Sequence, residues 1–385
     1  MTDPATDWLC PDAVFDGEAL VRGVAVGLAA GRAVAIRPLA DIPATARRQG
    51  VPGVITPGFL DLQVNGGGDV LLNTTPSAAG MATIAAAHRH FGTVGILPTV
   101  ITDLPAVLAS VATAALAAKG ERGILGLHIE GPHIAAARRG THAENLVRPL
   151  DDVTIAIVHH LRAAGIAVMI TLAPEAASHA QIADLAATGA IVSLGHTDAT
   201  AQETRAALNA GASCFTHLFN AMSPMLHRSP GVVGAAINST AYAGIICDGI
   251  HVADEMVALA IRARPVVDRM FLVSDAMPTV GGSNHFELYG QQIRLVDGRL
   301  LNAEGSLAGA HVTMAQSVAR LVHLLGVDLA TALRMAVTVP ARVIGRPDLT
   351  RIVGRDAADL LVLDAGLVVR GTCAELRQQP QGWRR

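Results

Sequence analysis

The strongest constraint on how this chain can fold is a repeated alternation through its middle. Short apolar runs suited to buried strands stand at residues 59–65, 94–101, 124–130, 166–172, 191–196, 214–217, 243–247 and 271–275. Helical patterns lie between most of them, at 76–91, 104–119, 151–164, 178–188, 200–210 and 253–264. The runs are continuous rather than alternating with polar residues, which fits a parallel sheet buried on both faces. Eight such strands, most followed by a helix, predict a (β/α)8 TIM barrel, an α/β fold, over residues 57–345. Val296-Asp297-Gly298-Arg299 is a hairpin signal, so a β insertion is expected at 286–301. Further helices are expected at 312–325 and 329–338. The two ends differ: glycine-split apolar runs at 19–26, 33–36 and 51–56, with 358–363 and 367–370, predict one small sheet domain made from residues 1–56 and 346–385.

Four of the barrel strands end in residue types that bind metals or move protons: Glu130, His196, His217 and Asp275. A polar group where a buried strand surfaces is costly unless something needs it there, and barrel enzymes place their chemistry at strand C-terminal ends. Glu with two His matches a catalytic zinc set whose fourth position is left for water. An aspartate close by can bind the ion or take a proton from that water. Each has a plainer reading. Glu130 could be a loop carboxylate before Gly131-Pro132, the His196 segment a helix cap through Thr197 or Asp198, His217 a hydrogen-bonded core residue, and Asp275 a cap or turn. A purely structural chain leaves the recurrence of all four unexplained. His142 and His251 lie in loops after strands and suit substrate orientation or carbonyl polarisation, or are ordinary loop histidines. Arg228 suits an anionic group such as phosphate, or is a solvated surface arginine.

Several classes are excluded. A hydrophobic fraction of 51% with 16% charged residues supports a large core rather than disorder. The net charge of -3, from 29 basic and 32 acidic residues spread along the chain, gives no stripe for nucleic acid. Gly66-Gly67-Gly68 lacks the spacing of a nucleotide loop. With no apolar run of about 18 residues, no membrane span is expected. The polar, acidic start is unlike a secretory signal, and four cysteines without a CxxC pair fit a reduced, cytoplasmic setting.

Pro57-Gly58-Phe59-Leu60-Asp61, His128-Ile129-Glu130-Gly131-Pro132, Gly195-His196-Thr197, Thr216-His217-Leu218-Phe219-Asn220-Ala221-Met222, Asp248-Gly249-Ile250-His251 and Val273-Ser274-Asp275-Ala276-Met277 together resemble the N-acetylglucosamine-6-phosphate deacetylases of the amidohydrolase superfamily. The resemblance runs from about residue 53 to 364. It implies a metal-bearing barrel with a small β-sandwich built from both chain ends, and hydrolysis of N-acetylglucosamine 6-phosphate to glucosamine 6-phosphate and acetate. It also implies Glu130, His196 and His217 as ligands of one divalent metal, zinc or else iron, cobalt or manganese, with Asp275 as proton shuttle and His142 and His251 at the sugar and its amide. Thr141, Asn220, Ala221 and Arg228, with Leu307, Ala308 and Gly309, would line the sugar-phosphate site, the arginine reaching across a homodimer. Where many superfamily members carry His-x-His, this chain has Gln63-Val64-Asn65, and amides are poor transition-metal ligands, so one tightly held metal is expected. The single lysine, Lys119, falls on a helix and not at a strand end, against a carboxylated-lysine bridge. The alternatives are another N-acyl substrate, such as N-acetylgalactosamine 6-phosphate or an N-acyl amino acid, or a sugar-phosphate binder without turnover.

Overall fold

The structure is a computed structural model that describes residues 6–378 and the backbone of the strand Trp383–Arg384. The chain forms two compact units, residues 61–317 and residues 1–60 with 318–385.

Eight strands form the barrel sheet in chain order: Phe59–Val64, Thr93–Ile101, Gly126–Glu130, Ala167–Leu172, Ile191–Leu194, Cys214–Phe215, Tyr242–Ile245 and Met270–Leu272. The pairs run parallel. The last strand meets the first at a parallel bridge between Val64 and Ala276. There the Asn65 amide donates to the Ala276 carbonyl at 2.9 Å and the Asp275 amide to the Gln63 carbonyl at 3.0 Å. Nearly every strand residue is buried, as strands packed on both faces require.

Four of the connecting helices begin at a capping side chain, whereas Pro105–Ala117, Gly231–Ile237 and Asp254–Ala263 begin without one. Ser77 caps Ala78–His90, Asp151 caps Asp152–Ala163, and Ser178 and Thr200 form full capping boxes with Gln181 and Glu203 ahead of His179–Ala187 and Ala201–Asn209. Each cap satisfies amide hydrogens that the first helical turn leaves unpaired. The helices Gly231–Ile237, Val339–Val343 and Cys373–Gln378 were not foreseen; in the first, two glycines interrupt the pattern, yet all seven residues are buried. Gly231 has φ +59, and a Cβ there would lie 2.6 Å from the Pro224 carbonyl oxygen, so only glycine fits this tight entry.

The insertion is a four-stranded antiparallel sheet: His285–Leu288, Gln291–Val296, Arg299–Leu301 and Leu307–Ala310. Asp297 and Gly298 both have positive φ, as the two-residue hairpin turn requires. The last of these strands, Leu307–Ala310, lies past the expected insertion. Phe286, Leu288, Ile293, Leu300 and Ala308 pack with Leu71, Ile101 and Met277 in a core of their own.

The second unit is a mixed eight-stranded sheet. Five of its strands come from the N-terminal segment, Asp7–Phe15, Leu20–Val21, Val24–Ala29, Arg32–Pro38 and Arg48–Pro57. Leu360–Leu363, Val369–Thr372 and Trp383–Arg384 come from the other end. Alternate residues face opposite sides: Leu9, Val26 and Ile55 join one core with Leu360 and Val362, while Trp8 and Ala25 join Ile42 on another. The strand Asp7–Phe15 begins well before the first expected run. Pro11 and Asp12 break its apolar pattern, and the ladder absorbs them by a register shift between Pro11 and Ala13.

Candidate active site

The barrel strands are shorter at their C-terminal ends than the apolar pattern suggests, and the reason is the site itself. His196, His217 and Asp275 follow their strands with φ of 47°, 28° and 52°. The left-handed region is uncommon for residues other than glycine, and backbones held there concentrate at functional sites. The turn redirects each side chain inward over the barrel mouth. Gly195, just before His196, is what lets the backbone come so close: a Cβ there would lie 2.9 Å from Thr216 Cβ.

The side chains converge. Glu130 Oε1 lies 3.0 Å from His217 Nε2 and 3.2 Å from His196 Nε2, and the two Nε2 atoms are 3.0 Å apart. All three residues are buried. His196 Nδ1 lies 2.9 Å from the Arg138 carbonyl oxygen; only a protonated Nδ1 can donate there, so the neutral ring offers its Nε2 lone pair to the cluster. A tetrahedral zinc with bonds of about 2.0–2.1 Å spaces its ligand atoms by about 3.3 Å. The three atoms therefore stand close to the spacing that one divalent cation imposes, and the donor set fits such an ion. His142 belongs to the same cluster: Glu130, His142 and His196 offer ligand atoms within 4.8 Å of one another. The His142 and His196 rings are 4.4 Å apart, and His142 Nδ1 is 2.6 Å from the Thr102 hydroxyl.

Two amides tie this cluster to Asp275. Gln63 Nε2 donates to Glu130 Oε1 at 3.0 Å and to Asp275 Oδ1 at 3.1 Å, and Asn65 Nδ2 donates to Asp275 Oδ1 at 2.7 Å. Sequence reasoning found these amides only as poor metal ligands; their place at the end of the first strand was the signal that they face the site. Asp248 was also missed as a partner. It accepts from the Ile250 and His251 amides and lies 2.6 Å from His251 Nδ1, turning the other ring nitrogen outward from the pair.

The electrostatics follow from burial and these contacts. Burial opposes ionisation of Glu130, but hydrogen bonds and charge from His196 and His217 outweigh it and hold the carboxyl well below its ordinary range. Burial, then the charge of Glu130, pushes Asp275 up to about 6, against the opposing pull of His217, the Asn65 bond and His251. Burial, with the neighbouring His196, takes His142 down to about 3, so its ring is neutral. Burial disfavours the charged form of His217, yet the hydrogen bond and charge of Glu130 raise it.

A cavity of about 180 Å³ opens over these groups. Asn65, Glu130, Thr141, His142, His196, His217, Asn220, Ala221, His251, Asp275, Leu307 and Gly309 line it, which brings together most of the residues expected at the site. Two stand apart. Ala308 is buried in the core of the insertion sheet, its neighbours Leu307 and Gly309 facing the cavity instead. Arg228 is exposed and does not line the cavity.

Residues 54–379 match the amidohydrolase family. This chain is an amidohydrolase. It is 40% identical over 316 residues to the N-acetylgalactosamine-6-phosphate deacetylase of a Shewanella species, covering 81% of this chain and 79% of that one. It is 33% identical over 326 residues to the N-acetylglucosamine-6-phosphate deacetylase of Haemophilus influenzae, covering 83% and 84%. The crystal structure of N-acetylglucosamine-6-phosphate deacetylase from Pasteurella multocida superposes with a TM-score of 0.88 at 31% identity, over 98% of this chain and 99% of that one. The expected fold and family are thus borne out. Amidohydrolases are metal-dependent enzymes, and this amidohydrolase has a buried Glu/His cluster able to hold an ion. Among the described residues, no helix is long and apolar enough to cross a membrane.

Proposed function

We propose that this amidohydrolase hydrolyses the N-acetyl group of N-acetylglucosamine 6-phosphate, releasing acetate and glucosamine 6-phosphate. The observation that carries this reading is the convergence of Glu130, His196 and His217 with an amide-pinned Asp275 in one cavity. The relatives named as amino-sugar-phosphate deacetylases supply the substrate class.

Glu130, His196 and His217 would hold one divalent cation, which would supply Lewis acidity to lower the pKa of water and polarise the acetyl carbonyl. Two nitrogens and one oxygen suit zinc, and iron, cobalt or manganese would take the same ligands. Asp275 accepts the proton of the attacking water as the new C–O bond forms. The carbonyl oxygen takes up negative charge, and neutral His142 faces it; with the Thr102 hydroxyl donating to Nδ1, the Nε2 hydrogen is free to stabilise that oxyanion. Asp275 then returns the proton to the sugar nitrogen as the C–N bond breaks. His251, oriented by Asp248, accepts from a sugar hydroxyl through its free nitrogen. Thr141, Asn220 and Ala221, with the Leu307-Ala308-Gly309 strand, shape the sugar-phosphate pocket. Exposed Arg228 serves the phosphate of a neighbouring subunit in a homodimer. Four cysteines, none of them in a disulfide, favour a reduced, cytoplasmic setting.

The 40% identity to an N-acetylgalactosamine-6-phosphate deacetylase favours a second reading in which the galactosamine epimer is preferred. Acetate release from both epimers and from N-acyl amino acids, before and after chelation, with metal content measured on the same sample, tests the proposal. Turnover of N-acetylglucosamine 6-phosphate that tracks about one metal per chain supports it. A higher kcat/KM for the galactosamine epimer moves the assignment to the second reading. Activity on N-acyl amino acids alone overturns both.

A further inference from the structure

The opposite end of the barrel carries a second concave surface, larger than the catalytic cavity. A groove of about 600 Å³ opens there, lined among others by Arg205, Ser213, Ser239, Thr240, Tyr242 and Arg269. Its volume is within the range of about 300–1,000 Å³ common for small-molecule sites. No carboxylate lines it. Among the described residues, neither Arg205 nor Arg269 forms an ion pair. Arg269 is instead held in place, its guanidinium 4.4 Å from the Tyr242 ring centroid, a contact that orients the fork before any ligand arrives.

A third cation stands behind the wall. Arg264 is nine-tenths buried, and its terminal nitrogens donate to the carbonyl oxygens of Ala236 and Ala241, while its Nε has no partner. Burial and the neighbouring Arg269 pull its pKa down, to about 10, which leaves it charged at neutral pH. Among the described residues, no carboxylate pairs with it either. Two guanidiniums on hydroxyl-rich walls, with the Arg264 charge behind them and no carboxylate in the lining, form a positive concavity whose chemistry matches an anion with several acceptor oxygens.

We propose that this groove is a second ligand site that takes a phosphorylated small molecule, with Arg205 and Arg269 on its phosphate and the hydroxyls of Ser213, Ser239 and Thr240 on its polar body. Its location gives such a ligand a route to the chemistry. Ser213, Tyr242 and Arg269 stand at the N-terminal ends of the sixth, seventh and eighth barrel strands. The other ends of the same three strands lead to His217, to the Asp248–His251 pair and to Asp275. The proposal is independent of the deacetylase reading, because no residue of the catalytic cavity takes part in it.

The test is equilibrium dialysis of labelled inorganic phosphate, and separately of glycerol 3-phosphate, against the full-chain metal-loaded enzyme and its Arg205→Gln/Arg269→Gln variant. The variant is expected to bind one equivalent fewer per chain while kcat and KM in phosphate-free buffer stay unchanged. Equal stoichiometry in both proteins overturns the site. Should the double variant fold poorly, Arg205→Gln alone, at an exposed helix position, is expected to weaken one class of bound phosphate by roughly tenfold. Unaltered affinity in a folded single variant overturns the proposal equally.

Discussion

The two ends of the barrel strands are built on opposite terms. At the C-terminal rim the backbone leaves the ladder at once, His196, His217, Phe219, Ala221 and Asp275 sit in the left-handed region, and polar side chains are buried against one another. At the N-terminal foot Asp268, just before the eighth strand, also has a positive φ, but the arginines there stand partly in solvent or donate to backbone carbonyls and form no mutual cluster. Strain and desolvation are concentrated where groups must be aimed; the foot supplies stability. Mutations at the rim should therefore change chemistry more than folding, and mutations at the foot the reverse.

The largest expected effect is at the rim. Asp275→Asn removes the proposed proton acceptor while keeping the shape that Gln63 and Asn65 grip, so kcat should fall on the order of 10³-fold or more with metal content and melting temperature near those of the parent. A variant retaining full turnover would refute the shuttle. Next, His217→Ala removes one of the three proposed ligands, and metal affinity should drop by at least about 100-fold in a chelator competition; undiminished affinity would move the ion to the Glu130, His142 and His196 grouping. At the foot, Arg264→Leu strips two hydrogen bonds from buried carbonyls. It should cost about 1–3 kcal/mol in urea denaturation and leave kcat/KM alone; a large kinetic loss without destabilisation would erase the contrast between the ends.

Two pH experiments sharpen it further. In the proposed role Asp275 is a base only when ionised, and its carboxyl is raised to about 6. A cation held by the cluster would lower it again, so kcat/KM should hold on a plateau at about pH 6 and above and fall at lower pH as the carboxyl takes up its proton. An acid limb centred above neutrality would contradict the assignment. Asp61 is the smaller case. It is fully buried, accepts from the Ser274 and Gln63 amides, and burial pushes it up to about 7 despite those bonds. The folded chain thus keeps a proton there that the unfolded chain has released. That contribution to stability is complete below the ordinary carboxylate range and is lost as pH rises through about 7. Asp61→Asn should flatten this slope in urea midpoints measured across pH, and an unchanged slope would remove Asp61 as its source.

The barrel was legible because its strands are apolar on both faces and its helices announce their starts with Ser77, Asp151, Ser178 and Thr200. Each expected barrel strand has its counterpart within a few residues. The site was legible where a charged tip interrupts an apolar run, as at Glu130 and Asp275. What escaped was carried by residues whose type has no strong preference. Gly231–Ile237 hides behind its glycines, and Asp7–Phe15 behind Pro11. Gln63 is an unremarkable amide in sequence; its role exists only once a strand far along the chain brings Asp275 against it.

Gln63 and Asn65 also bear on what a His-x-His pair would do at the end of the first barrel strand. A glutamine or asparagine codon is one base from a histidine codon, so mutational distance sets no barrier to recreating a His-x-His pair. The obstacle is hydrogen count. The Gln63 amide nitrogen carries two hydrogens and reaches Glu130 and Asp275 together, whereas a neutral imidazole carries one. A histidine at this position would have to let go of one carboxylate, so gaining a second ion and keeping the proton shuttle pinned become competing outcomes of the same substitution.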